Sequence, residues 1–250
     1  MADESTEIRP TPVLSVAAPV YNEEEGIEAV VRYWKTVLDR IGQPAEIVLC
    51  NDGSSDGTAA ILERLRRDVP ELRVVGGSEN HGYGSALSTA IGACTGELIA
   101  TLDSDGQFDL ADIEKFLPLI AEEGCDGVTG RRVHKRDSPA RVLADRCLNL
   151  LVRAMFGTRL RDTNCALKLV RRDLLQSLQL DATGFAFPTE VVLKLEAAGA
   201  RVAECPVRHL ERATGGSKLR VVSTGWRMLR FLLYLRHRLW LYRAGLVRLP

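Results

Sequence analysis

The sequence predicts an α/β fold in which a mostly parallel sheet is covered by helices, with an amphipathic helix at its C-terminal end. Three observations carry this prediction. Apolar runs of strand length alternate with amphipathic stretches of helix length along most of the 250 residues. Each early apolar run closes in polar residues, as strands do where their carboxyl ends face a ligand crevice. No internal repeat or low-complexity segment divides the chain, so one large domain is the economical organisation.

The first run, Val13 to Val20, ends in Tyr21, Asn22 and Glu23, and a helical stretch from Ile27 to Ile41 follows. The second, Glu46 to Cys50, ends in Asn51 and Asp52 and runs through Gly53-Ser-Ser-Asp-Gly-Thr58 into a helical stretch reaching Arg67. Arg73 to Gly76 is a short strand, and Gly82-Tyr-Gly84 opens a small-residue helix over 85–94. That Gly-x-Gly lacks the third glycine of a dinucleotide loop and reads as turn and close-packing positions. The run from Glu97 to Leu102 delivers Asp103, Ser104 and Asp105, followed by Gly106 and Gln107. In a parallel sheet, Tyr21, Asp52 and Asp103 then converge on one edge. Two carboxylates one residue apart suit a hard divalent cation, Mg²⁺ or Mn²⁺, which takes oxygen ligands and shares them with substrate phosphates.

Beyond this point, Leu110 to Glu123 is helical, and the segment 124–130 is a strand delivering Arg131 and Arg132. A helical stretch from Ala140 to Phe156 precedes the segment Asp162 to Lys168. Phe185 to Glu190 opens another helix, and Arg201 to Val207 is a late strand. The tail, Trp226 to Tyr242, is helical, with Met228, Leu232, Leu235 and Leu239 on one apolar stripe and Arg227, Arg230 and Arg238 on another edge. The stripe suits a bilayer surface, or else the core of the domain or a dimer.

Charge is unevenly spread. The 33 basic and 33 acidic residues cancel, yet the segment 212–250 holds nine Lys/Arg and no acid, leaving 24 basic against 33 acidic residues before it. A nucleic-acid partner would explain the basic tail, but its interleaved leucines favour lipid. The polar, acidic N-terminal stretch has no signal-peptide core, and no run approaches the roughly 18 apolar residues of a spanning helix. The six cysteines show no metal-site spacing and read as small buried residues of a reducing compartment. The expected location is cytoplasmic, peripheral on the inner face of a membrane. The expected divisions are a tail over 1–12, a catalytic domain over 13–222 and a basic membrane-surface helix over 223–250.

The motifs Pro19-Val-Tyr-Asn-Glu23, Asn51 to Thr58 and Leu102 to Gln107 resemble those of family-2 glycosyltransferases. Gly130-Arg131, Arg141, the segments 162–168 and 184–190, and Arg212 to Lys218 narrow the resemblance to dolichyl- or polyprenyl-phosphate sugar synthases. It runs from about residue 13 to 220. The resemblance implies a GT-A fold and a transferase that uses a nucleotide sugar with Mg²⁺ or Mn²⁺. Pro19, Tyr21 and Glu23 would line the nucleoside pocket, Asp52 would accept from a base N–H, and Ser104 would touch the ribose. Asp103, Asp105 and Gln107 would hold the metal. Arg212, Ser217 and Lys218, hinged at Gly215 and Gly216, would close on the donor phosphates. Arg131 and Arg141 would grip a phosphate acceptor, which makes Asp105, Arg131 and Lys218 the implied catalytic group. The implied partners are a nucleotide-sugar donor (GDP-mannose or a UDP-sugar) and a polyprenyl phosphate, with room for a homo-oligomer or a separate membrane-protein partner.

An acceptor phosphate needs no general base, since it is already mostly dianionic at neutral pH. If the acceptor is a hydroxyl instead, Glu190 is the candidate base. A non-catalytic nucleotide-sugar-binding module is the remaining alternative. Two positions depart from the family pattern: Asp145, where a carboxylate would repel an acceptor phosphate unless paired with Arg141 or Arg146, and Lys168, where relatives often have Arg.

Overall fold

The computed structural model describes residues 13–133, 139–211 and 221–247, with the side chains of 139–141 and 221–224 excluded. The elements are β1 Leu14–Val20, α1 Ile27–Ile41, β2 Ala45–Asp52, α2 Thr58–Asp68, β3 Leu72–Gly77, α3 Tyr83–Ala93 and β4 Leu98–Thr101. A 3₁₀ turn, Leu110–Lys115, leads to α4 Leu117–Ala121, β5 Gly127–Arg132 and α5 Pro139–Phe156. Then come β6 Lys168–Arg171, α6 Arg172–Ser177, α7 Phe187–Ala197, β7 Val202–Val207 and α8 Val221–Arg243.

The strands form one sheet in the order β3-β2-β1-β4-β6-β5-β7. All described pairings are parallel except those of β6, which runs antiparallel between β4 and β5. This reversal matters for function. It brings the chain before Lys168 to the same edge as the chain after Thr101 and Thr129, its register partners.

β1 is buried along its whole length, as a central strand covered on both faces must be. One face packs on α1, α2 and the 3₁₀ turn through Trp34, Leu62 and Ile113. The other packs on α3, α5, α6, α7 and α8 through Leu87, Val152, Leu175, Val191 and Leu232. The helix expected over Leu110 to Glu123 is instead the 3₁₀ turn and the five-residue α4, with Pro118 in the first turn of α4.

The tail helix corrects a sequence expectation. Met228, Leu232, Leu235 and Leu239, read as a lipid-facing stripe, are buried in the domain core, where α8 meets α5 and α7. Helical periodicity locates a stripe but does not say what covers it. Arg236 donates to the Met155 carbonyl in the last turn of α5, one of the backbone groups a helix end leaves unpaired. On the far side of α8, Trp226, Leu233 and Trp240 are exposed at seven-residue spacing, with Leu229 half-buried beside them. Helix α5 likewise exposes Leu143, Cys147, Leu150 and Leu151 along one side. The exposure of Cys147 departs from the expectation of uniformly buried cysteines. None of the described helices is long and apolar enough to cross a membrane.

Candidate active site

The tips of β1, β2 and β4 lie side by side, so Tyr21, Asp52 and Asp103 meet at one sheet edge as expected. Cross-links between the tips fix the crevice. Ser104 Oγ donates to the Pro19 carbonyl at 2.7 Å. Asn22 adopts a left-handed φ of 53°, a conformation asparagine tolerates better than most residues. Its N–H donates to Ser54 Oγ at 3.1 Å, its Oδ1 accepts the Ser55 N–H at 2.8 Å, and the Glu23 N–H donates to Thr58 Oγ1 at 2.9 Å. Pro19 is buried in β1, so it shapes the crevice through its carbonyl and not through its ring.

Asp52 fastens a loop. Its Oδ1 accepts the His81 N–H at 2.7 Å and its Oδ2 the Gly82 N–H at 3.0 Å. Each carboxylate oxygen keeps a second acceptor position. Under this loop lies a cavity of about 260 Å³ lined by Asn51, Asp52, Gly76, Glu79, His81 and Ser85, among others. Gly53 is required there: its φ is +67°, and a Cβ would sit 2.6 Å from the Glu79 backbone.

Asp103 is the most perturbed carboxylate of the edge. Its carboxyl is pushed up to about 7, first by burial and then by the charge of Asp105, against the opposing hydrogen bond from Tyr83. The Tyr83 hydroxyl donates to Asp103 Oδ1 at 2.8 Å, and burial with the same carboxylate raises the phenol well above its ordinary range. Asp105 Oδ1 accepts the Gln107 N–H at 3.0 Å. Gln107, expected as a metal ligand, uses its backbone to fix Asp105, and its amide reaches the Leu210 carbonyl at 3.5 Å.

Two carboxylates one residue apart, one of them raised first by burial and then by the charge of the other, form a site that a divalent cation would relieve. The donor set therefore fits Mg²⁺ or Mn²⁺. No group of three or more His, Cys, Asp or Glu side chains among the described residues could hold a metal. Two carboxylates suit an ion of this kind, which keeps several waters and shares its site with phosphates.

Strand β5, separated from β4 by β6, carries the basic residues. Arg131 lies 3.4 Å from Glu204 on β7. Arg132, for which the sequence alone suggests no role, grips Asp162 with Nε at 2.8 Å and Nη2 at 2.7 Å, and also reaches Asp145 at 3.2 Å. Asp145 therefore pairs with Arg132 from β5, and not with its helix neighbour Arg146. No sequence spacing signals this, because the partners come from separate elements. Lys168 is fully enclosed, bonded to the Cys165 and Thr163 carbonyls, and burial lowers its ammonium to about 8. Glu190, the candidate base for a hydroxyl acceptor, is wholly buried. It accepts the Asp181 and Ala182 N–H groups at 2.9 and 2.8 Å and pairs with Lys194 at 2.8 Å, so it is a structural anchor. The side chain of Arg141 lies outside the described residues, as do Arg212, Gly215, Gly216, Ser217 and Lys218.

The chain matches the model of Glycosyl transferase family 2 over residues 15–178. It is 32% identical over 207 residues to the undecaprenyl-phosphate 4-deoxy-4-formamido-L-arabinose transferase of Yersinia enterocolitica. That match covers 82% of this chain and 62% of the relative, so the chain spans less than two thirds of the relative's length. Among solved structures it resembles glucosyl-3-phosphoglycerate synthase of Mycobacterium tuberculosis in complex with phosphoglyceric acid, with a TM-score of 0.68 and 20% identity over 90% of this chain and 80% of that one. A second structure of that enzyme, holding Mn²⁺, UDP-glucose and phosphoglyceric acid, gives a TM-score of 0.67 and 22% identity over the same shares. The architecture is thus the GT-A-like one that the sequence motifs implied.

Proposed function

Because the chain belongs to glycosyl transferase family 2, we propose that it moves a hexose from a nucleotide-diphosphate sugar, GDP-mannose or a UDP-sugar, to a polyprenyl phosphate. The observation that carries this reading is the placement of Asp103 and Asp105 after β4 on the sheet edge that also holds Asp52, with the arginines of β5 beyond the single intervening strand β6. The Yersinia relative, named for transfer to undecaprenyl phosphate, supports the acceptor class.

The chemistry follows from the residues. Tyr21, Glu23 and Asp52 receive the nucleoside, and Asp103 and Asp105 present their oxygens toward the diphosphate. Mg²⁺ or Mn²⁺ bound there would neutralise the charge that develops on the leaving nucleoside diphosphate. Arg131 and Arg141 hold the acceptor phosphate, Arg131 exchanging its loose pairing with Glu204 for a bidentate one. The phosphate attacks opposite the leaving group, which inverts the anomeric carbon, and needs no base. Glu190, locked to Lys194, is not available as the base that a hydroxyl acceptor would need. Arg212, Ser217 and Lys218 close over the donor phosphates. A panel of radiolabelled uridine and guanosine diphosphate sugars, offered with polyprenyl phosphate and Mn²⁺, tests the reading. One donor should give organic-extractable product, and failure of every donor would sink it.

Asp103 also sets a pH dependence. A cation needs the ionised carboxylate, so Mn²⁺ affinity should fall roughly tenfold between pH 7.5 and pH 6, as protons compete at a group titrating near 7. The sign for stability is opposite. A carboxyl whose pKa rises on folding lends stability in acid and loses it as the pH climbs through about 7, unless a cation takes the charge. Titration calorimetry across that range measures the first effect directly, and a flat affinity would contradict it.

A lipid-linked acceptor calls for a membrane surface, and the proposed location is its cytosolic face. The outward stripe of Trp226, Leu233 and Trp240 on α8, flanked by Arg230, suits an anionic bilayer, where a cation contributes about 1 kcal/mol. The exposed leucines of α5 extend the same surface chemistry. Truncating α8 would remove buried core leucines, so the informative variant replaces Trp226, Leu233 and Trp240 with serine. It should lose co-sedimentation with anionic liposomes at an unchanged melting temperature. Undiminished binding would mean that this stripe is not the contact.

A further inference from the structure

Tyr83 stands between two glycines whose missing side chains admit a neighbouring turn. A Cβ on Gly84 would lie 2.0 Å from the Ala182 carbonyl oxygen, and one on Gly82 2.7 Å from that of Thr183. The Gly84 N–H donates to the Thr183 carbonyl at 2.9 Å, so the turn rests directly on the start of α3. From this turn comes Phe185, whose ring stacks on Tyr83 at a centroid separation of 5.5 Å and an interplanar angle of 23°. The turn is itself pinned from behind by Glu190, through its bonds to the Asp181 and Ala182 N–H groups, and Glu190 is neutralised by the buried Lys194. One ring is therefore held in place by a rigid stack, with its hydroxyl on Asp103 Oδ1 at 2.8 Å.

We propose that Tyr83 is a positioning residue for the cation site, its hydroxyl holding one oxygen of Asp103 so that the other is presented to the divalent ion. This rests on the reading of Asp103 and Asp105 as the cation's ligands. A donor on the carboxylate favours its ionised form and removes a rotational freedom that cation binding would otherwise have to freeze. Hydrogen-bond partners of metal ligands typically govern affinity by about 10- to 100-fold. The sequence carries a tyrosine between Gly82 and Gly84, but only the fold aims it at Asp103.

The test measures Mn²⁺ binding without turnover, by electron paramagnetic resonance of the free ion in the presence of uridine or guanosine diphosphate and no acceptor. Tyr83→Phe should weaken binding by about 10- to 100-fold with little change in melting temperature, and raised Mn²⁺ should restore most of the lost transfer. Phe185→Ala, at a side chain already 40% exposed, should shift affinity the same way by a smaller factor. A purely structural defect would not respond to metal concentration. Mn²⁺ affinity within about twofold of wild type in Tyr83→Phe, alongside lost binding in Asp105→Ala, would overturn the role of Tyr83 and leave the cation site standing. Wild-type affinity in Asp105→Ala would overturn the cation site, and the inference with it.

Discussion

Replacing Asp105 with alanine should cut sugar transfer by about 10²- to 10³-fold, the cost expected when a group stabilising developing charge is removed. The fold should not suffer. Asp105 is half-buried at the sheet edge, and its charge is one of the causes that push Asp103 upward. Removing it relieves that repulsion and gives up, among its contacts, the hydrogen bond from the Gln107 N–H. The melting temperature should stay within about 2 °C of wild type. Transfer assays with and without a chelator check this prediction. Wild-type turnover after exhaustive chelation would contradict it, as would a variant that loses activity only because it unfolds.

The largest stability effect is expected far from the sugar. Lys194→Ala leaves Glu190 and Asp181 facing each other across a site where Lys194 and Glu190 have no exposed side-chain surface. Breaking a buried pair in this way costs about 3–5 kcal/mol, because the remaining charge is stranded. In a chain of this size that corresponds to a fall of roughly 10 °C in melting temperature. Urea denaturation should show the loss in its midpoint. A change below about 1 kcal/mol would mean that the turn over 181–185 does not depend on this pair.

The sheet edge was legible in the sequence because strand tips are local. An apolar run ending in Asp52 or Asp103 needs only the parallel rule to place both on one side. What stayed hidden depended on contacts between distant segments. Strand β6 spans only Lys168–Arg171, too short for alternation to stand out, and its antiparallel insertion follows from its neighbours alone. The stripe of Met228, Leu232, Leu235 and Leu239 was visible as a stripe, but its burial against α5 and α7 was not. Glu190 looked like a candidate base, since nothing near it in sequence identifies Lys194 as a buried partner; the spacing of four allows the pair without requiring it. Arg132 likewise drew its partners from residues 13 and 30 positions away.

The central claim is that the acceptor is a phosphate, which needs arginines and no base. A direct comparison of polyprenyl phosphate with the corresponding polyprenol, in the same vesicles with the same labelled donor and Mn²⁺, measures it. Label should enter the lipid extract with the phosphate and stay at background with the alcohol, and Arg131→Ala should depress the phosphate reaction. Equal labelling of the alcohol would contradict the account, because the site would then be activating a hydroxyl by means its buried Glu190 does not supply.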